Sequence, residues 1–470
     1  TGALFAWTDY LLGDRLDKVS PLLRKRIRAE VDRRILTPAL ARDDFWWMGF
    51  GERRNVNNWN PWINSNWLTA VLLLEADPQR RTASVYKIMR SLDNFINIYP
   101  DDGASDEGPG YWGRAGASLF DNLELLRSAT GGKVDIYRSP LVRSMGQYIY
   151  RVYIKDEYFV PMGDASARIT PDPELVYQYG KRIGDRVLQG FGALLAQRRG
   201  QYRPGSSSPG RILPALFVAR EIATATASEP LLGSVWLADL QLMAARSIPN
   251  SPEGLYVAAW GGHNAQSHNH NDVGNFIVYA DGKPVLIDVG VETYSAKTFS
   301  PQRYEIWTMQ SAYHNLPTIN GVMQGAGREF QAKGVSFNET ANRVTFSADL
   351  ASAYPAEAAV QRWHRRVTLD RKGEAVELED RYELKEWKEP VRLSLMTPLR
   401  VDTSRPGEAR LGDRYVLTYD ARELSAAAEE IRISDERLRS VWGERVERIV
   451  LTTKGRALRG GYRVALREAK

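Results

Sequence analysis

The sequence predicts an α+β chain in two parts: an N-terminal (α/α) toroid over residues 1–248 and a C-terminal antiparallel β-sandwich over residues 249–470. Three observations lead to this. Up to about residue 245, apolar residues recur at helical spacing in one segment after another. Beyond about residue 250 they recur in many short strand-like runs joined by turns. Between the two, Pro249-Asn-Ser-Pro252 marks a break.

The first helical segment is 16–36, where Leu22, Leu23, Ile27 and Val31 alternate with charged residues. Segments 67–76, 83–98, 115–129, 140–152, 184–197 and 213–224 repeat the pattern, separated by loops rich in Gly, Pro, Asn and Asp. Such a succession points to antiparallel helix pairs, although no clean repeat is present. The stretch Ser206–Gly210 reads as a surface loop. Strands are expected at 255–260, 275–280, 284–289, 343–350, 360–369, 375–384, 391–396, 415–419, 448–453 and 462–466. Asp281-Gly282 and Lys372-Gly373 supply turns between them, as in a sandwich.

The 470 residues are enough for two or three domains with real cores. The absence of cysteine excludes disulfides, thiolate catalysis and thiolate metal sites. No apolar run is long enough to span a bilayer, and the first residues lack the charged lead of an export signal. The net charge of +6 favours an anionic partner. Lys and Arg are scattered and no nucleic-acid module is visible, whereas 13 Trp and 22 Tyr offer flat apolar faces. Together these fit an acidic polysaccharide better than a nucleic acid.

Three constellations can carry chemistry. In Gly261–Asp272, three of the five histidines gather at His263, His268 and His270. If this stretch is extended, His268 and His270 face one side. Downstream stand Asp288, at a strand end where it can also cap a turn, and His314. Two His and one Asp with a fourth position open make a zinc set. The second constellation runs from Asn55 to Trp67 and crowds Asn57, Asn58, Trp59, Trp62 and Trp67 into a helix start. Asn58 and Asn60, before Pro61, fit capping; amides beside indole faces also suit sugars. The third, Asp101–Arg114, is a Gly- and Pro-rich loop that presents Glu107, Tyr111 and Arg114. Its carboxylate spacing does not match an EF-hand.

Taken together, the Asn-rich helix start, Asp-Gly…Glu-Gly-Pro-x-Tyr, Ser-His-x-His-x-Asp, Leu-Ile-Asp-x-Gly…Tyr-Ser and the late His-Asn resemble the heparinase II/III-like polysaccharide lyases over about 45–320. That resemblance implies β-elimination on a uronate polymer: heparin or heparan sulfate, chondroitin or hyaluronan, or alginate. It makes Tyr111 a catalytic acid or base and His268 catalytic, and it gives Asn57 or Asn58 the task of neutralising the uronate carboxylate. It makes His270, Asp288 and His314 the ligands of a structural zinc ion that supports the catalytic loop. Trp59, Trp62, Glu107, Arg114, Tyr294, Arg303 and Tyr304 become candidates for substrate binding. It also implies a periplasmic or secreted protein, with monomer and homodimer both compatible.

Two departures stand out. Family members often have His where this chain has Asn58, which makes Tyr111 the principal proton carrier. Family chains carry more helical sequence before the Asn-rich helix; with only 56 residues ahead of Asn57, the expectation is either an incomplete toroid or a piece or processed product of a longer chain. Two rivals belong to other classes. His268-x-His270-x-Asp272 begins the motif of a metallo-β-lactamase-type hydrolase, but Val273 stands where that motif needs His. A non-catalytic glycan-binding protein is the other. His364, on a late strand, reads as structural.

Overall fold

The computed structural model describes residues 1–51, 56–200 and 208–469, which form two compact units. Asn55 of the Asn-rich stretch and Ser206 and Ser207 of the expected loop lie outside the described residues. The first unit comprises 1–105, 111–150 and 170–230; the second comprises 106–110, 151–169 and 231–470. The boundary expected at 248/249 therefore falls differently. The hairpin of Ser234–Leu237 and Leu242–Arg246 precedes it and pairs directly with Leu255–Trp260. Its run Leu-Met-Ala-Ala-Arg is buried throughout and lacks the polar alternation that reveals a strand.

The first unit is helical. Ser20 splits the segment expected at 16–36: its side chain accepts from the Leu22 N–H, and Pro21 begins the next helix. The helices are therefore Gly2–Val19 and Pro21–Val31. Trp59–Leu74 begins well before the expected 67, because Pro61 is tolerated in a first turn. Pro78–Ile96, Gly116–Ala129, Pro140–Arg151, Arg186–Arg199 and Pro209–Thr224 match expected helices. The last begins inside the stretch read as a loop. Pro173–Ile183 was not foreseen; Asp172 caps it and Gly184 ends it in the left-handed conformation.

The second unit is built from antiparallel sheets. A five-stranded meander runs from Ser234–Leu237 to Lys283–Leu286. An eight-stranded sheet centres on Val360–Asp370, Ala375–Leu384 and Arg459–Glu468, and a four-stranded sheet on Arg392–Thr397 and Arg445–Thr453. Val257 and Phe276 from the first sheet, Phe346 and Val367 from the second, and Leu395 and Ile449 from the third share one apolar core. Arg365 and Asp380 are fully buried in this core as an ion pair at 2.7 Å. Burial works against the Arg365 charge, but Asp380 outweighs it and its pKa rises. A second arm of Arg365 donates to the carbonyls of Gly274 and Asn315, tying the sheet to the histidine-bearing loops.

Candidate functional site

The histidine stretch is a turn, not the extended segment expected. His268 has a φ of +57°, a conformation non-glycine residues adopt only under constraint. Its strain, about 1–3 kcal/mol, persists only where the surroundings hold it. Asp164 does so, with Oδ2 lying 2.7 Å from His268 Nδ1. His270 Nε2 meets the other oxygen, Oδ1, at 3.1 Å. The two imidazoles thus converge on a shared carboxylate rather than through a strand pleat.

Asp164 is buried, and its remaining contacts keep it ionised. Arg303 donates to Oδ1 at 2.6 Å and the Tyr294 hydroxyl to Oδ2 at 2.9 Å. Burial alone would raise its pKa, but the bonds from His268 and His270 and the charge of Arg303 hold it well below the usual carboxylate range. An ionised Asp164 only accepts, so His268 Nδ1 and His270 Nε2 both carry protons. His268 Nε2 lies 4.0 Å from Oε1 of the buried Glu107. The Tyr294 ring stacks on His268 at 6.2 Å. Loop 106–110 belongs to this unit, and Asp106 accepts from the Ser267 N–H at 3.0 Å. Gly163 lets the Asp164 loop approach closely, since a Cβ there would lie 3.1 Å from the His268 carbonyl oxygen.

Behind this turn, His270, Asp288 and His314 are all buried, with ligand atoms within 4.8 Å of one another. Asp288 lies just past the strand Lys283–Leu286, and Oδ1 accepts from the Gly290 N–H at 2.8 Å, a turn-capping role. Its Oδ2 faces His314 Nε2 at 3.4 Å. His314 Nδ1 sits 2.9 Å from the Gln310 carbonyl, which can only accept, so that nitrogen carries the proton and Nε2 offers a lone pair. His270 Nδ1 is buried and has no hydrogen-bond partner among the described residues. Two imidazole lone pairs and a carboxylate therefore converge with no proton among them, the donor set of a transition-metal ion. Burial pushes the Asp288 carboxyl up to about 6 and the His314 imidazole down to about 4, so near neutrality both are in ligating form.

Residues 255–435, which include every histidine and ligand just described, match the family model described as heparinase II/III-like, C-terminal. This part of the chain is heparinase II/III-like. Known structures agree on the fold. One described as heparinase III shares 14% identity at a TM-score of 0.67, over 91% of this chain and 63% of that one. A heparan sulfate lyase mutant from Pedobacter heparinus shares 14% at a TM-score of 0.64, over 95% and 63%. A chondroitin AC lyase from Streptomyces coelicolor A3 in complex with chondroitin sulphate shares 12% at 0.59, over 100% and 66%. The chain thus spans under two thirds of the length of the first two. No curated protein matches it in sequence.

Within the heparinase II/III-like region, the structure reassigns several residues. Among the described residues, Arg303 donates to Asp164, the Asn269 carbonyl and the Thr298 carbonyl, so it supports the turn. The Tyr304 hydroxyl accepts from Asn269 at 3.1 Å. Asp272, the third residue of the hydrolase-like motif, accepts from Trp260 Nε1 at 3.0 Å. His263 pairs with Arg328 near the surface. Asp164 was missed because Met-Gly-Asp-Ala carries no motif. Asn275, which donates to Asp288 Oδ2 and accepts from the Asn315 N–H, was missed for the same reason.

In the helical unit, Asn57 caps the helix by accepting from the Trp59 N–H at 3.1 Å, whereas Asn58 makes no side-chain cap. Asn60 does not cap either; its amide donates to the Trp47 and Ser91 carbonyls. Trp59 is 46% exposed and packs edge-on against Trp62, while Trp67 is core. The Arg114 guanidinium lies 3.9 Å over the Trp62 ring. Tyr111, half-buried, sits in the short helix Pro109–Trp112.

Proposed function

We propose that the protein is a polysaccharide lyase that cleaves a uronate-containing polysaccharide by β-elimination, with a glycosaminoglycan as substrate. The observation that carries this reading is His268: it is held in a strained turn by an ionised, buried Asp164, within the segment matched by the heparinase II/III-like model. The heparan sulfate and chondroitin AC lyases of similar fold support the substrate class.

In such a reaction the C5 proton of a uronate leaves, its electron pair forms the C4–C5 double bond, and the bond to the C4 oxygen breaks. The adjacent carboxylate opposes the step unless its charge is met by donors. Asn57 or Asn58, together with His268, provides them in this reading. Tyr111 takes the C5 proton and returns one to the leaving oxygen. Trp59 and Trp62 offer sugar-sized apolar faces, with Arg114 beside them as a cation. His270, Asp288 and His314 would hold a zinc ion, whose charge fixes these ligands and hence the turn that carries His268. The reading also places the protein in the periplasm or outside the cell, where such polymers occur. No described helix is long and apolar enough to cross a membrane.

The test is a panel of uronate polysaccharides followed by ultraviolet absorbance, because the unsaturated uronate formed by elimination absorbs. A rise with at least one glycosaminoglycan is expected; a metal-loaded, folded protein that gives none on any panel member overturns the reading.

A further inference from the structure

The outward face of the eight-stranded sheet carries a groove of about 550 Å³, and none of its lining residues belongs to the His268 cluster. Strand alternation builds it. On Val360–Asp370, Trp363, Arg365 and Val367 point into the core, so Arg362, His364 and Arg366 point out. His364 lies opposite Arg381 on one neighbouring strand and Asp349 on the other, and Lys333 pairs with Asp349 in turn. Beside them, Gly461, opposite Arg381, raises no side chain on this face, which leaves the row open.

The charges in the groove are unequally satisfied. Glu379 is shared by Arg366, Arg381 and Arg463, and Glu383 is met by Arg459. Asp349 accepts from the Ala351 and Trp363 backbone N–H groups. Lys333, Arg362 and His364 make no ion pair and no side-chain hydrogen bond among the described residues. Strand spacing of about 4.8 Å and a two-residue step of roughly 6.6 Å set these groups in successive rows.

We infer that this groove is a second binding site, for an acidic oligosaccharide segment carrying sulfate or carboxylate groups. The ligand class rests on the lyase reading; the unpaired basic side chains do not. Such a ligand offers anions to Lys333, Arg362 and His364 and hydroxyls to the interleaved carboxylates. Nucleic acid fits less well, because the lining holds no Phe or Trp and its one Tyr, Tyr382, is turned inward onto Trp363 at 5.1 Å and offers no stacking face. A protein partner would need an apolar anchor point, and the lining exposes none. The site would hold a long chain at a distance from the reacting sugar.

The experiment is calorimetric titration of the full chain with a heparin-derived octasaccharide, in a Tyr111→Phe background to prevent cleavage. Combining Lys333→Ala, Arg362→Ala and His364→Ala is expected to remove one binding event per chain, weakening it at least roughly tenfold. Melting is expected to be unchanged, and Arg362→Lys alone to keep the event. With Tyr111 intact, the triple variant should cleave a tetrasaccharide at the parental rate. Binding events unaltered in both number and affinity overturn the inference. So does an equal loss of binding for single-stranded DNA of matched charge, which would make the groove a general anion site. If no polymer is cleaved by the parent, the lyase reading fails, and the titration still decides whether the groove binds acidic glycan.

Discussion

His268 Nδ1 lies 2.7 Å from Oδ2 of Asp164, a residue 104 positions earlier in the chain. The same carboxylate bonds His270, one of three residues able to hold a metal. Asp164 therefore couples the orientation of the proposed catalytic imidazole to that of a metal ligand.

Replacing Asp164 with Asn keeps the size but removes the charge and one acceptor. His268 loses its imposed tautomer, and kcat in the absorbance assay is expected to fall roughly 10- to 100-fold, with KM little changed. Unaltered kcat would show that Asp164 has no part in positioning His268.

Acid stability gives an independent readout of the same residue. Asp164 has a folded pKa below the ordinary Asp value of about 3.9, so its contribution is present above that pH and is lost as pH falls toward the folded value. The unfolding free energy of metal-stripped protein is thus expected to drop more steeply below about pH 4 than that of Asp164→Asn.

Metal removal is expected to lower melting as well as activity. Metal bound only by the folded state, at about 1,000 times its Kd, contributes about 4 kcal/mol. Chelation should therefore lower the melting temperature of the parent, whereas His270→Ala should melt at the same temperature with and without chelator. Elemental analysis should find the metal in the parent and not in the variant.

Tyr111→Phe removes only a hydroxyl. If that hydroxyl carries the proton, kcat falls about 10²- to 10⁴-fold with folding intact. Near-parental turnover would move the proton to another group.

Arg365→Met tests the scaffold. It leaves Asp380 buried without its cation and frees the carbonyls of Gly274 and Asn315. A loss of about 3–5 kcal/mol is expected in denaturant unfolding.

Helix and strand periods were legible in the chain wherever one face of an element meets solvent, as at Pro78–Ile96 and Val360–Asp370. They failed at Leu242–Arg246, which is buried on both faces and so has no alternation to read. The candidate ligands His270, Asp288 and His314 stood out because their residue types are rare and their neighbours patterned. Arg303 was misjudged because a sequence does not say whether a guanidinium faces water or a buried carboxylate.

By itself, then, the sequence determined the two kinds of secondary structure, the candidate metal ligands and the resemblance that named a chemistry. Folding alone decided that Asp164, from a stretch with no motif, would meet His268 and His270, and that His268 would take a left-handed backbone. Those facts depend on long-range packing that removes water from one carboxylate and surrounds it with donors, and local pattern carries no record of which distant loop arrives.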